Sequence, residues 1–418
     1  MYFINDNYRI LYNSRNKEAC AINQKEGIVY NIEWKIFLCL YYLSKYDRSI
    51  ARINFKDKDI IENLIEEITQ KGIIYKSTHK NKRFDKVCEE IDYNILSTVQ
   101  IEITRRCNLR CKHCYLGTVA EVDMELEAIK EIVDDAIKLG ACKIAITGGE
   151  PLLHSDIKEL LAYIKEKQIY IEIFTNGTLL DDQTCQFLGD MGIGKVFLSL
   201  DGHVAKVHDK IRDRDGAFDK AMRAIAYLKK YDIDISVACT FNRLNIKCAD
   251  EIVEFLEDLE VPYKLDCILM EGNAKEHSLE LALNYKEYAE IASTILEKHY
   301  GKLDELGISG DRFCGSGYNF IYITVDGKVK ICPSISDKFT YGNIFENSLY
   351  DIWKENYSKY LPIKCRDMYK CEFANVCCGG CRSRAYTSYH DINARDAVMC
   401  DVLKIWNERR CDYEGENI

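Results

Sequence analysis

The sequence predicts an α/β fold built on a parallel sheet, and three observations carry that prediction. Between residues 96 and 300, short apolar strands alternate with amphipathic helices through six β/α units. A C-x3-C-x2-C loop, Cys107-Asn108-Leu109-Arg110-Cys111-Lys112-His113-Cys114, directly follows the first strand of that series. A second field of cysteines lies beyond the last unit, from Cys314 to Cys400.

Composition narrows the function classes. A chain of 418 residues is too long for one ordinary domain, and its 47% hydrophobic content supports a full core. No run of eighteen apolar residues exists, and the start, Met1-Tyr2-Phe3-Ile4-Asn5-Asp6, lacks the layout of a signal peptide. The expectation is therefore a cytoplasmic protein without a membrane partner. Twenty cysteines in a reducing compartment call for metal clusters rather than disulfides. A formal charge of −10 argues against a nucleic-acid partner.

Residues 1–90 read as a small domain. Tyr8 to Tyr12 and Gly27 to Ile32 have strand character, and Glu33 to Leu43 places Trp34, Phe37, Leu38, Tyr41 and Tyr42 at helical spacing. Asp59 to Ile68 is a second amphipathic helix, with Asp57 or Asp59 as its N-cap, and Ile73-Ile74-Tyr75 returns as a strand. This order resembles a winged helix-turn-helix of the kind that recognises leader peptides on peptide-modifying enzymes. Winged helices also bind DNA, but 16 Lys+Arg against 13 Asp+Glu gives no dense basic face. The leader reading implies a peptide added as a strand to a sheet edge; the alternative is a purely structural cap. Phe84 to Tyr93 is charged and reads as a linker.

The six units follow in order. Strands are expected at 99–103, 143–147, 170–174, 196–200, 233–238 and 263–269, and helices at 121–139, 156–167, 181–191, 216–231 and 248–259. In barrels of this type the chemistry sits at the C-terminal strand ends, which is where the first cysteine loop falls. Three thiolates can hold three irons of a four-iron cluster and leave the fourth open. The bland alternative, a structural zinc site, usually pairs two C-x2-C knuckles, and no second knuckle lies nearby.

The C-x3-C-x2-C loop followed by Tyr115 resembles the signature of the radical S-adenosylmethionine (SAM) enzymes. The resemblance implies a partial (β/α)6 barrel over residues 96–300, with SAM chelating the open iron held by Cys107, Cys111 and Cys114. Gly148-Gly149-Glu150-Pro151 after strand two resembles the family's GGEP motif. Its glycines are expected to let backbone approach a ligand, and Glu150 to accept from the SAM ammonium group. Thr175-Asn176-Gly177 and Ser199-Leu200-Asp201-Gly202 resemble segments around the ribose and the radical's path. His208-x3-Arg212 with Gly216-x-Phe218 resembles the stretch whose arginine pairs with the SAM carboxylate; the alternative for Arg212 is a surface charge. Family members usually have Gly after this arginine, where this chain has Asp213. Asp201 is the candidate proton acceptor, with a structural turn aspartate as the equal alternative. His113 reads as a loop residue.

The C-terminal layout is more specific still. Phe320 to Ile331 reads as a β-hairpin turning at Asp326-Gly327. The spacing C-x12-G-x4-C, then C-x5-C-x5-C-x3-C, then C, resembles the SPASM domain, which holds two auxiliary four-iron clusters. The resemblance places this domain at 310–418, as a helix-poor segment stapled by metal. It carries Cys314, Cys332 and Cys381 onto the first auxiliary cluster, and Cys365, Cys371, Cys377 and Cys400 onto the second. Two departures matter. The central block begins C-x5-C, with Met368 inside it, so Cys365 departs from the family pattern. Residues 303–313 contain no cysteine, so the first auxiliary cluster has a vacant iron or a non-cysteine ligand. Cys378 is available as a substitute, and Cys411 is unassigned.

The implied cofactors are three [4Fe-4S] clusters and SAM. The implied partners are a precursor peptide with a leader and an electron donor such as flavodoxin or ferredoxin. The leading expectation is cross-linking of a ribosomally made peptide, first as a Cys thioether and next as a carbon–carbon link. The runner-up is an oxidase acting on a sulfatase residue or a tetrapyrrole, which has no need of a leader-binding domain.

Overall fold

The computed structural model describes residues 2–45, 58–76, 88–300, 315–361, 364–377 and 379–414. Asp57, Cys314 and Cys378, singled out above, lie outside the described residues.

The N-terminal region forms β1 (Tyr2–Ile4), β2 (Tyr8–Asn13), β3 (Glu18–Asn23), β4 (Ile28–Ile32), α1 (Trp34–Lys45), α2 (Lys58–Gln70), β5 (Ile74–Lys76) and β6 (Cys88–Glu90). Strands β4-β3-β2-β6 make one sheet and β1-β5 a two-stranded one. Ile10, Ala21, Phe37, Leu40, Ile65 and Ile73 form its core, each fully buried large side chain contributing roughly 1.5–3 kcal/mol. The expected strands and helices are present; β1 and β3 were not anticipated. The stretch read as a linker contains β6, which pairs parallel with β2.

Six parallel strands follow: β7 (Thr98–Glu102), β8 (Lys143–Thr147), β9 (Tyr170–Thr175), β10 (Lys195–Ser199), β11 (Asp234–Phe241) and β12 (Tyr263–Cys267). Helices α3 (Leu126–Lys138), α4 (Ile157–Glu166), α5 (Asp182–Met191), α6 (Ala205–Arg212), α7 (Ala217–Lys230) and α8 (Ala249–Asp258) connect them. Helix α3 starts five residues later than expected. Residues 122–124 are instead held extended against the end of β7, by Arg105 N donating to Val122 O (2.8 Å) and Met124 N donating to Ile103 O (2.8 Å).

Register sorts the two faces of this sheet. Val99, Ile101, Ile144, Ile146, Ile171, Ile173, Val196, Leu198, Ile235 and Val237 share one core with Ile129, Ile132, Val133, Leu160, Leu161 and Leu188 of the helices. The alternate row faces inward and holds Gln100, Glu102, Thr147, Glu172, Phe174, Phe197, Ser199, Ser236 and Thr240. The barrel interior is therefore polar and aromatic, suited to a ligand rather than to packing alone.

After α9 (Asn273–Glu276), α10 (Ser278–Leu281) and α11 (Tyr285–Tyr300) come β13 (Phe320–Ile323), β14 (Lys328–Lys330) and β15 (Thr340–Asn343). The hairpin β13–β14 is antiparallel, as expected, and Gly327 sits in its turn at φ +83°. Strand β13 also pairs parallel with β7, so one nine-stranded sheet crosses the expected domain boundary. Buried Trp353 donates Nε1 to Asn94 O (2.7 Å) and reinforces that junction. The C-terminal segment is not helix-poor: α12 (Leu349–Asn356), α13 (Ala374–Cys377), α14 (Arg382–Tyr389) and α15 (Ala397–Glu414) frame it.

The N-terminal domain caps the barrel at the N-terminal ends of the strands. Arg9 Nη1 donates to Ile137 O (2.7 Å) at the end of α3, and Tyr170 N donates to Gln24 O (2.8 Å) at the start of β9. Leu11, Cys20 and Ile22 belong to the barrel core. Among the described residues no helix is long and apolar enough to cross a membrane.

Candidate iron–sulfur and cofactor site

The first cysteine loop is fastened to the neighbouring strand ends. Gly149 N donates to Thr104 O (2.8 Å) and Glu150 N to Arg106 O (2.8 Å). A Cβ on Gly148 would lie 2.5 Å from Thr104 O, and one on Gly149 2.4 Å from Arg106 O. On the side where a Cβ would stand, the two glycines therefore admit the backbone that leads into the cysteine loop. Asn108, inside the loop, accepts from Asn176 Nδ2 (2.9 Å) and donates to Thr178 Oγ1 (2.7 Å), tying the loop to the end of β9. Lys112 N donates to Ile211 O (3.0 Å) of α6.

Glu150 is fully buried. Its carboxylate accepts from Thr175 Oγ1 (2.8 and 2.9 Å), Asn176 N (2.9 Å) and Leu152 N (3.3 Å). Burial raises its pKa to about 7, with those donors pulling the other way. Thr175 and Asn176 thus meet Glu150 directly, and Ser199 ends β10 half-buried.

A second buried group lies against Cys111. Asp201 has no exposed surface; its Oδ2 lies 2.7 Å from Arg212 Nη2 and 3.5 Å from His113 Nε2. Its Oδ1 accepts from Thr240 N (2.9 Å), and its own N–H donates to His208 Nδ1 (3.1 Å). Arg212 Nη1 lies 3.8 Å from Cys111 Sγ. Burial pushes the Asp201 carboxyl up, but Arg212, His113 and His208 outweigh it and hold the group below the usual range. A carboxylate so held is a weak base, which runs against the proton-acceptor expectation for Asp201. Burial drives His113 down to about 4, so it is neutral. His113 is no ordinary loop residue, and Arg212 is no surface charge. Asp213 adopts the left-handed conformation itself (φ +54°), so the turn usually made by glycine is kept.

Tyr115 hydrogen-bonds to Tyr322 of β13, whose Oη donates to Glu102 Oε2 (3.0 Å), and Glu102 Oε1 accepts from Arg105 Nε (3.0 Å). Tyr115 lies within electrostatic reach of both Cys114 and Cys332. This buried chain joins the first cysteine loop to the C-terminal hairpin.

In the C-terminal field, Cys377 feels Cys371 and Cys400, and Cys400 feels Cys365 and Cys371, so these four thiols gather in one place. Burial pushes Cys377 up to about 12. Cys381 N donates to Asp396 Oδ2 (2.7 Å), which Arg384 Nη2 also reaches (2.8 Å). Cys332 is half-buried just beyond β14. Buried Cys267, at the end of β12, lies within electrostatic reach of Cys381 and had no signal in the sequence.

The residues present fit iron–sulfur clusters and a polar cofactor. Among the described residues the candidate donors are thiols free of disulfides. Buried His113 Nδ1 and Arg212 Nε make no hydrogen bond among the described residues, beside the first cysteine loop. Such orphaned polar atoms mark a place where a ligand completes the bonding.

The radical SAM superfamily model matches residues 101–256, and the SPASM iron–sulfur cluster-binding domain matches 314–382. The chain is a radical SAM superfamily enzyme with a SPASM domain. It is 26% identical over 324 residues to the AdoMet-dependent heme synthase of Oleidesulfovibrio alaskensis, covering 68% of this chain and 82% of that protein. It is 24% identical over 371 residues to the antilisterial bacteriocin subtilosin biosynthesis protein AlbA of Bacillus subtilis, covering 83% and 82%. The crystal structure of Streptococcus suis SuiB bound to precursor peptide SuiA superposes with a TM-score of 0.61 at 16% identity, over 95% of this chain and 99% of that one. The fold is thus that of the radical SAM–SPASM enzymes, N-terminal domain included.

Proposed function

We propose that this radical SAM enzyme abstracts hydrogen from a ribosomally made precursor peptide and forms a cross-link, first a Cys thioether. The supporting observation is coverage. The similarity to AlbA spans 83% of the chain and the fold of SuiB 95%, whereas the heme-synthase similarity spans 68%. The N-terminal domain has no task in the tetrapyrrole reading, and leader binding gives it one.

Three [4Fe-4S] clusters are assigned. Cys107, Cys111 and Cys114 hold the SAM-binding one. Cys314, Cys332 and Cys381 hold the first auxiliary cluster, and Cys365, Cys371, Cys377 and Cys400 the second. When bound, clusters and SAM together supply a 5′-deoxyadenosyl radical for hydrogen abstraction, an electron acceptor, and an open iron for a substrate thiolate. Glu150 accepts from the SAM ammonium group, and Tyr115, Gly148, Gly149, Thr175, Asn176 and Ser199 shape the cofactor wall. Asp201 holds Arg212 in place, and Arg212 Nε and His113 Nδ1 would be free to bond the cofactor. Thioether formation removes two hydrogens from the peptide, one as an atom and one as a proton plus an electron. The external electron donor is a flavodoxin or ferredoxin.

The test is anaerobic turnover of a short cysteine-containing peptide encoded beside the gene. Loss of two hydrogens with thiol alkylation blocked is the expected result. Free thiols on the product would assign a carbon–carbon link instead. An untouched peptide with a converted iron porphyrin would overturn the reading.

A further inference from the structure

The barrel is open on one side. In the sheet, among the described residues, β7 pairs with β8 and β13, and β12 pairs only with β11, so the first and sixth barrel strands do not meet. The cysteine loop leaves β7 on one flank of that gap, and Glu271-Gly272-Asn273 follows β12 on the other. Across the gap, Asn273 N donates to Cys114 O (2.9 Å) and Asn273 Nδ2 to Cys111 O (3.1 Å). These are the carbonyls of two of the three thiol-bearing residues.

Gly272 makes the approach possible. Its backbone lies at φ +53° and ψ −133°, a conformation left to glycine. A Cβ there would sit 2.5 Å from Cys114 O, 2.5 Å from Tyr115 O and 2.7 Å from Gly117 N, all backbone atoms that cannot swing aside. A further contact crosses the gap, Lys112 Nζ pairing with Glu280 (2.8 and 3.0 Å). The 271–273 segment is itself held by α14, the helix that begins just after Cys381, through Thr387 Oγ1 donating to Glu271 Oε1 (3.3 Å).

We propose that Gly272–Asn273 is a positioning element that closes the open side of the barrel and fixes the direction of the Cys111 and Cys114 thiols. The inference rests on reading Cys107, Cys111 and Cys114 as the SAM-cluster ligands. Asn273 touches neither cofactor nor substrate in this role; it acts through the loop's backbone. Without it, the loop keeps its thiols but loses two of the bonds that aim them.

The experiment uses the full-length, anaerobically reconstituted protein and its Asn273→Ala and Asn273→Asp variants. Hydrogen exchange of the segment 107–117 and the electron paramagnetic resonance spectrum of the reduced protein, with and without SAM, are the readouts. In Asn273→Ala, exchange of 107–117 is expected to rise about tenfold, the loss of one ordinary hydrogen bond (Nδ2 to Cys111 O) with the backbone bond kept, and β13 is expected unchanged. The SAM-induced change in the spectrum should shrink while iron content stays constant. Asn273→Asp keeps the size and turns the side chain into an acceptor facing Cys111 O, so the same changes should be larger. Wild-type exchange and spectra in both variants would overturn the proposal, as would lowered thermal stability with an unchanged SAM response. Neither readout uses a peptide, so failure of the peptide-maturation reading leaves this test intact.

Discussion

The two ends of the barrel are built in opposite ways. At the N-terminal strand ends, the small domain packs with apolar contact: Leu11, Cys20 and Ile22 enter the barrel core, and Leu11 Cδ1 comes within 2.7 Å of where Gly140 would carry a Cβ. At the C-terminal strand ends, backbone carbonyls, a buried ion pair and two orphaned nitrogens crowd around three thiols. Apolar contact is forgiving and additive, and it suits a joint that only has to stay shut. Buried polar groups tolerate no loss of partner, and they suit a place that must hold one geometry. The contrast also separates tasks in space. A five-residue strand spans about 17 Å, so whatever docks on the small domain starts at least that far from the cysteine loop.

Three measurements would break or sharpen this contrast, taken from the largest effect down. Arg212→Ala leaves Asp201 fully buried without its guanidinium and is expected to cost about 3–5 kcal/mol of stability, read by urea unfolding of the cluster-free chain. A loss under about 1 kcal/mol would mean that the polar end is looser than drawn.

The second is a pH dependence. Burial raises the Glu150 pKa to about 7. The unfolded chain releases this proton near the ordinary value and the folded chain only near 7, so stability falls as pH rises between them. The window contributes roughly 3 kcal/mol, fully present at the acid side and lost above pH 7. Glu150→Gln should flatten that slope in unfolding curves taken from pH 5 to 8; an unchanged slope would show that the carboxylate is better solvated.

The smallest effect belongs to the other end. Arg9→Ala removes the bond to Ile137 O at the C-terminus of α3 and is expected to cost about 1 kcal/mol. SAM cleavage without peptide should be unchanged. A parallel fall in cleavage would show that the two ends are coupled.

Much of this was readable before any coordinates. The alternation of apolar strands with amphipathic helices and the cysteine spacings located the barrel, its working end and the hairpin. What escaped did so for physical reasons. Strand β3, Glu18-Ala19-Cys20-Ala21-Ile22-Asn23, is rich in small residues with weak strand preference, and pairing with β2 and β4 overrides that. Helix α6 is mostly polar, because two of its residues, His208 and Arg212, turn toward the site rather than a core. His113 and Asn108 look like loop filler, since their burial comes from α6 and β9, distant in sequence. Asn273 stands more than 150 residues from the carbonyls it holds. The GGEP glycines were noticed, but only the fold shows that the backbone at Thr104 and Arg106 fills the space where their side chains would stand.

The pairing of β13 with β7 has an outcome for how this chain can be divided. Phe320 to Ile323 covers the outer rim of Thr98 to Ile101. A polypeptide severed ahead of that hairpin would bare a row of unsatisfied amides flanked by Val99 and Ile101, a seam that invites self-pairing and precipitation. The C-terminal quarter is therefore no detachable module, and its removal should yield clumped material rather than a smaller, working barrel.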